Sequence, residues 1–444
     1  MILGSSKNDF PKGFMFGVAT AAYQIEGSSN GRCGLSHWDT FSATPGNVFN
    51  SDNGSIACDH FNRFENDLDL VKECGFDSYR FSTSWSRVMP NGQKSSDESL
   101  AFYDRLVDAI CEHGLKPHLT LYHWDLPSEL ADIGGWMNRE TPQRFADYSK
   151  AVIEKLGDRL TSVATINEPW CVAWLSYFLG HHAPGLRDVR GATRAMHHVL
   201  LAHGLSLEAM RSKGQASLGI VLNLTEVQPA TRKSKDLIAA KRLDGIHNRW
   251  FLDALFKSKY PYDILKVLEP YMPVNFENDL KKISSTIDWL GINYYTRTIV
   301  RHNPTAAWPS LEDIPGEMAK TDMNWEIYPK GLTNLLLRVS LNYNSKIPLI
   351  ITENGMASSD NLKNGQVHDP NRVKYISEHL NAAKTAIKDG VNLQGFFYWS
   401  LMDNFEWAFG YKKRFGLVYV DYETQNRIPK TSFYDLKRFL QSQT

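Results

Sequence analysis

Cysteine is scarce in this sequence, and charge of neither sign is in excess. The five cysteines (Cys33, Cys58, Cys74, Cys111, Cys171) are spread through 444 residues with no C-x-x-C pair. That spacing argues against a disulfide framework and for reduced thiols in a cytoplasmic-type compartment. Lys+Arg and Asp+Glu number 49 each, giving a formal charge of zero. The basic runs Arg232-Lys233-Ser234-Lys235 and Lys412-Lys413-Arg414 are short and read as solvated surface. No nucleic-acid partner is expected, because phosphate-backbone binding needs clustered cations. No apolar run reaches the ~18 residues of a spanning helix, so no membrane partner is expected either. The opening MILGSSKNDFPKGF has no apolar core of the signal-peptide kind, and the expected location is the cytoplasm. The sequons at Asn53 and Asn223 carry little weight against that background.

Other absences narrow the chemistry. No low-complexity segment and no Pro/Ser-rich linker divides the chain, so residues 1–444 read as one domain. There is no G-x-G-x-x-G and no G-x-x-x-x-G-K-[ST], the phosphate turns that a doubly wound open sheet would normally show. His181-His182, and His197-His198 with His203, match no metal-ligand spacing and have no cysteine pair beside them. Neither a metal nor an organic cofactor is expected.

What is present is alternation. Eight apolar runs, at 14–22, 78–85, 117–122, 162–166, 217–224, 289–295, 348–352 and 393–400, are rich in β-branched, aromatic and aliphatic residues. Amphipathic stretches lie between them: Phe61, Phe64, Leu68 and Val71 share a helical face, as do Phe102, Leu106 and Ile110. The segments 142–157, 190–213, 234–257, 329–343, 371–389 and 430–441 behave similarly. Several strands lack polar alternation, as expected when both faces are covered. The series predicts the α/β class, as a single (β/α)8 TIM barrel with extended βα loops.

In such a barrel the catalytic groups come from the C-terminal strand ends. Five of those ends are polar in compatible ways. Strand four runs into Asn167-Glu168-Pro169 and strand seven into Glu353-Asn354-Gly355. Strand three ends at His123-Trp124-Asp125, strand six at Asn293-Tyr294-Tyr295, and strand eight runs through Trp399 to Glu406-Trp407. Taken singly, each has a plainer reading: a Glu before Pro is usually a turn residue, and a Trp is more often core than platform. Taken together, they place two carboxyls across one mouth, with Trp124, Trp399 and Trp407 as flat faces and Gln24, His123, Asn167 and Glu406 as hydroxyl partners. Glycoside hydrolysis needs such a pair, and a sugar site needs polar groups among aromatics.

At these residues the sequence resembles glycoside hydrolase family 1, the retaining β-glucosidase family. The likeness runs from Phe10 to about Phe439. It is carried by the opening segment from Phe14 to Gly27, by Thr165-Ile166-Asn167-Glu168-Pro169, by Ile351-Thr352-Glu353-Asn354-Gly355, and by the segment from Arg414 to Asp421. The resemblance implies that Glu168 is the general acid/base and Glu353 the nucleophile, with Arg80, Asn293 and Tyr295 around the latter. It implies that Gln24, His123, Trp124, Asn167, Trp399, Glu406 and Trp407 hold the glycone, and that Trp170, His182, Asn223 and Trp325 lie toward the leaving group. Glu406 implies an unmodified sugar, because a carboxylate there would repel the 6-phosphate taken by the phospho-sugar branch, which usually carries Ser. Glu168 argues against the thioglucosidase branch, where Gln replaces the acid. His37 and His181 stand where aliphatic or aromatic residues are commoner in the family. The implied substrates are β-glucosides and short β-linked oligosaccharides. Two other readings stay open: a carbohydrate-binding protein on the same barrel, and an enzyme that mainly transfers the glycosyl group to an alcohol. Glucose against galactose or fucose, and the oligomeric state, are not decided by the sequence.

Overall fold

The computed structural model describes residues 6–442. The first five residues of the opening segment, and the two ends of the expected 1–444 domain, lie outside the described residues. Eight parallel strands close into a barrel: β1 (Met15–Ala19), β2 (Ser78–Ser82), β3 (Lys116–Tyr122), β4 (Ser162–Asn167), β5 (Ser217–Asn223), β6 (Trp289–Asn293), β7 (Leu349–Asn354) and β8 (Leu393–Trp399). Each pairs with its sequence neighbours, and β8 closes onto β1 with Met15 beside Gly395 and Ala19 beside Trp399. Every residue of β2, β4, β6 and β7 is buried. That is why these strands carry no polar alternation: the barrel interior covers one face and the helices the other.

The main helices are α1 (His60–Cys74), α2 (Asp97–Glu112), α3 (Thr141–Leu156), α4 (Val189–Met210), α5 (Ser234–Asp244), α6 (Pro329–Asn342), α7 (Pro370–Lys388) and α8 (Thr431–Gln441). Their starts follow local chemistry. Ser96 and Ser99 form a reciprocal capping box at α2, and the Asp188 carboxylate accepts from the N–H groups of Arg190 and Gly191 at α4. Proline opens α6 and α7, where its missing N–H costs nothing. The predicted apolar stripe of α2 is buried at Phe102, Leu106 and Ile110.

The element boundaries differ from expectation where apolar character continues past the hydrogen-bond ladder. The predicted strands 14–22 and 78–85 stop early, because Ala22–Ile25 and Trp85–Val88 turn helical, the latter capped by the Ser84 hydroxyl. The predicted strand 289–295 stops at Asn293, whereas 348–352 continues to Asn354 and takes Glu353 into β7. The predicted helix 234–257 is three pieces: α5, a π-helical turn at Gly245–Arg249, and a helix at Trp250–Lys257. A three-stranded sheet of Glu226–Pro229, Arg297–His302 and Leu311–Asp313 was not anticipated. It grows from the loops after β5 and β6, at the mouth.

Inside the barrel, Ala164, Val221, Trp289, Ile350 and Phe397 form an apolar cluster separate from the main core. They come from β4 to β8 in turn and make a floor beneath the polar mouth. At the exit of β7, a Cβ on Gly355 would stand 1.8 Å from the Trp399 carbonyl oxygen. Only glycine lets the two neighbouring strand ends approach so closely.

Candidate active site

A cavity of about 760 Å³ opens over the C-terminal strand ends and is lined by Glu168 and Glu353 together. That volume suits a ligand of one to a few sugar rings. The two carboxyls are joined by one chain of hydrogen bonds. The Arg80 guanidinium donates to Glu353 Oε1 at 2.6 Å and to Asn167 Oδ1 at 2.8 Å. Asn293 Nδ2 donates to the same Asn167 oxygen at 3.1 Å and to Glu168 Oε1 at 2.6 Å. Asn293 is itself oriented by Thr352, whose hydroxyl donates to its Oδ1 at 2.7 Å. Strands β2, β4 and β6 each contribute one member, and β7 contributes Thr352 and Glu353.

The carboxyls differ in their partners. Glu353 has a full cation against one oxygen and the Tyr295 hydroxyl, at 2.6 Å, against the other. Burial holds the Tyr295 phenol protonated, well above its ordinary pKa, so it remains a donor. Glu168 has no ion-pair partner among the described residues: Asn293 donates to Oε1 and the Cys171 thiol to Oε2, at 3.1 Å. Burial, and then the charge of Glu353, raise its pKa well above the usual carboxylate range. Glu353 faces a guanidinium, whereas Glu168 is built to carry a proton at neutral pH.

The inner end of the cavity gathers the predicted glycone residues. His123, Trp124, Trp399, Glu406 and Trp407 line it, with the Trp124 and Trp407 rings 4.8 Å apart and His123 stacked on Trp399 at 5.6 Å. Asn167 and Arg80 are hydrogen-bonded to the lining residues His123 and Glu353. Gln24 is tied to Asn404 and to the Phe405 carbonyl, which fixes it to the loop that carries Glu406. Asn167 Nδ2 donates to His123 Nε2 at 3.3 Å, so the neutral imidazole carries its proton on Nδ1. Burial and the charge of Arg80 keep that ring neutral. His123 Nδ1, Gln24 Oε1 and Glu406 Oε2 are buried polar atoms with no partner among the described residues. A donor and two acceptors are thus left for a ligand's hydroxyls. Burial and the charges of Glu353 and Glu168 push Glu406 up to about 8.

Two further features hold this end in place. Trp124, Glu168 and Trp407 have φ of +82°, +55° and +52°, left-handed values that non-glycine residues adopt at a cost of about 1–3 kcal/mol each. Beneath the Glu406 loop, Asp403 is bonded by Arg414 at 2.7 Å and by Lys430 at 2.6 Å. Lys430 also meets Asp360 at 2.5 Å, and Arg372 joins Asp360 to Asp369. These three cations and three carboxylates are nearly all buried, so they balance one another out of water.

The residues expected on the leaving-group side do not form one group. Trp170 and Asn223 share a wall, but His182 packs its ring against Trp124 and Trp407, at 5.1 and 6.3 Å, beside the inner aromatics. Trp325 stacks near Tyr295 at 5.4 Å, on the Glu353 side. Chain order could not separate these positions, because the loops that carry them fold back over the mouth. Among the lining residues outside the expected set, two carry polar contacts at this wall. His247 stacks on Trp170 at 4.1 Å and meets Asn223 at 3.3 Å, from the π-helical turn after α5. Nothing in its local sequence marks it. Cys171 was read only as an unpaired thiol, although its position three residues after Glu168 is a helical-neighbour spacing.

The tempting histidines serve the framework. His197 joins Tyr260 and Asp279, His198 meets the Trp136 carbonyl, and His203 meets the Thr165 hydroxyl. Among the described residues no three His, Cys, Asp or Glu side chains are grouped to hold a metal ion. The five cysteines are free. No helix among the described residues is long and apolar enough to cross a membrane.

The sequence matches the profile of Glycosyl hydrolase family 1 over residues 6–444. It is 47% identical over 431 residues to a beta-glucosidase of an Agrobacterium species, covering 95% of this chain and 93% of that one. It is 44% identical over 431 residues to beta-glucosidase A of Thermotoga maritima, covering 96% of each. The fold matches the solved family 1 β-glucosidase of Thermotoga maritima with a TM-score of 0.94 at 43% identity, over 97% of both chains. A profile and relatives that span nearly the whole chain, on a closed barrel with two carboxyls at its mouth, leave one conclusion: this chain belongs to glycosyl hydrolase family 1 and is a glycoside hydrolase.

Proposed function

We propose that the protein is a retaining exo-β-glucosidase that releases glucose from the non-reducing end of β-glucosides and short β-linked oligosaccharides. The observation that carries the reading is the contrast between the bridged carboxyls: Glu353 ion-paired to Arg80 and Glu168 buried without a counter-charge. Glu353 attacks the anomeric carbon while the bond to the glycosidic oxygen breaks, and the Glu168 proton passes to that oxygen. Retention requires carboxyls about 5–5.5 Å apart. Esterification then removes the charge of Glu353, one of the two causes that raise the Glu168 pKa. Glu168 becomes the stronger acid and rests as carboxylate, ready to take a proton from water as its oxygen displaces Glu353. Glu406, Gln24 and His123 take the glucose hydroxyls, and Trp170 and Asn223 meet the leaving group.

We also assign residues 1–444 to one domain and, on the five free thiols, the protein to the cytoplasm. The test follows the anomeric proton by NMR in the first minutes of aryl β-glucoside hydrolysis, together with trapping by a 2-fluoro-glucoside. β-Glucose as first product and a covalent adduct on Glu353 support the proposal. α-Glucose first, or no adduct, defeats it; the second outcome would favour a binding protein.

A further inference from the structure

We propose that Cys171 is a positioning residue for the acid/base carboxyl: its thiol holds Glu168 Oε2 and links it to Asn223 on the leaving-group wall. The inference rests on the reading of Glu168 as acid/base. Cys171 begins the π-helical turn Cys171–Leu175, three residues after the left-handed Glu168, and lines the cavity. Its Sγ lies 3.1 Å from Glu168 Oε2, and Asn223 Nδ2 donates to the same sulfur at 3.4 Å. The three side chains therefore form a relay from the outer wall to the oxygen that Asn293 leaves unbonded.

A thiol suits this place because it is a weak partner that works in both directions. It donates S–H to the charged carboxyl and accepts from the protonated one, so the group is held through both halves of the reaction. An N–H donor would favour the anion alone and lower the pKa that the acid needs. Burial, and then the Glu168 charge, keep Cys171 a thiol well above its ordinary pKa, so it retains its own proton while the Glu168 proton moves. The other titratable groups that face Glu168 are Glu353 of β7, Arg80 of β2, Tyr295 after β6 and Glu406 after β8. His247 lies beyond Asn223, and burial lowers its pKa to about 4, so it is neutral in the working range. The Cys171 thiol is bonded to Glu168 and Asn223 and to none of the other four.

The experiment compares Cys171→Ala, Cys171→Val and Cys171→Ser with the parent enzyme. It reads kcat/KM against pH, and rates on β-glucosides with alkyl and dinitrophenyl leaving groups. Losing the thiol donor should move the basic limb to higher pH and cut turnover of alkyl glucosides about 3- to 10-fold. Dinitrophenyl glucosides, which leave without proton assistance, should change less than about 2-fold. Serine, a stronger donor, should restore alkyl turnover and move the limb below its parental position. An unmoved limb with equal losses on both leaving groups in Ala and Val overturns the proposal while leaving Glu168 in its role. If Glu168→Ala loses activity equally on all leaving groups, the acid/base reading falls and this proposal with it. The valine variant, closer to cysteine in volume, keeps the test decisive if alanine fails to fold.

Discussion

The inner and outer ends of the cavity are built in different ways. The inner end is cross-bonded: Arg80, Asn167, Asn293 and Glu353 come from four strands of a closed barrel and exchange hydrogen bonds of 2.6–3.1 Å. The loop behind Glu406 rests on a buried network of Asp403, Lys430, Asp360 and Arg372. The outer end combines stacking with longer hydrogen bonds, Asn223 meeting Cys171 at 3.4 Å and His247 at 3.3 Å. Trp170 lies on His247, and both the Cys171–Leu175 and Gly245–Arg249 segments that frame it are π-helical turns. A wide turn of this kind, with i→i+5 hydrogen bonds, redirects side chains and is common at functional sites. One end is held by bonds across the barrel, and the other presents mainly ring surface.

The largest effect should come from the inner end. Glu353→Ala should lower kcat by about 10⁴-fold or more on every substrate; near-parental hydrolysis would remove it as nucleophile and erase the contrast between the carboxyls. Glu168→Ala should cost about 10²- to 10⁴-fold on alkyl glucosides and cello-oligosaccharides. Activated aryl glucosides should suffer much less, and added azide should restore rate as a β-glucosyl azide product. Glu406→Gln should reduce kcat/KM about 10- to 100-fold, as expected when a buried hydrogen bond to the glycone is lost and its partner left unsatisfied. That loss should shrink on a substrate lacking the hydroxyl it meets, and a loss depending on the leaving group would place Glu406 at the wrong end.

The pH profile checks the same contrast. The acid form of Glu168 is the active one, so kcat/KM should hold through neutral pH and fall tenfold per unit above its raised pKa. A basic limb in the ordinary carboxylate range, near pH 4–5, would contradict the buried, uncompensated site. The smallest effect belongs to the outer wall. Trp170→Ala should change kcat/KM about 2- to 10-fold, with a size that follows the leaving group. A uniform loss across aglycones would show that Trp170 serves the glycone instead.

Much of this was legible in the chain. Eight apolar runs separated by amphipathic stretches admit few folds, and the closed barrel places the end of each run at one mouth. Glu168 and Glu353 were readable because each comes at the end of a buried apolar run, Glu168 just after β4 and Glu353 in β7 just before its last residue, Asn354. The strand limits were less readable: Ala22–Ile25 and Trp85–Val88 are as apolar as the strands before them, yet fold as helix. Composition does not record where a ladder loses its partner. His182 and Trp325 stand apart from Trp170 and Asn223 for a related reason, since long loops return over the mouth in ways their own residues do not encode. His247 left no signal because its neighbours in space, Trp170 and Asn223, are remote in sequence.

The sequence by itself determined the barrel, the two carboxyls at its mouth and the aromatic character of the sugar site. These follow from local periodicity and from which residue types end each strand. Tertiary structure alone decided how the carboxyls differ. Barrel closure sets Arg80 against Glu353 and leaves Glu168 to Asn293 and a thiol, and the register between strands fixes those distances. A side chain's charge state depends on what surrounds it in space, and the strands that surround these two are brought together only when the sheet closes on itself.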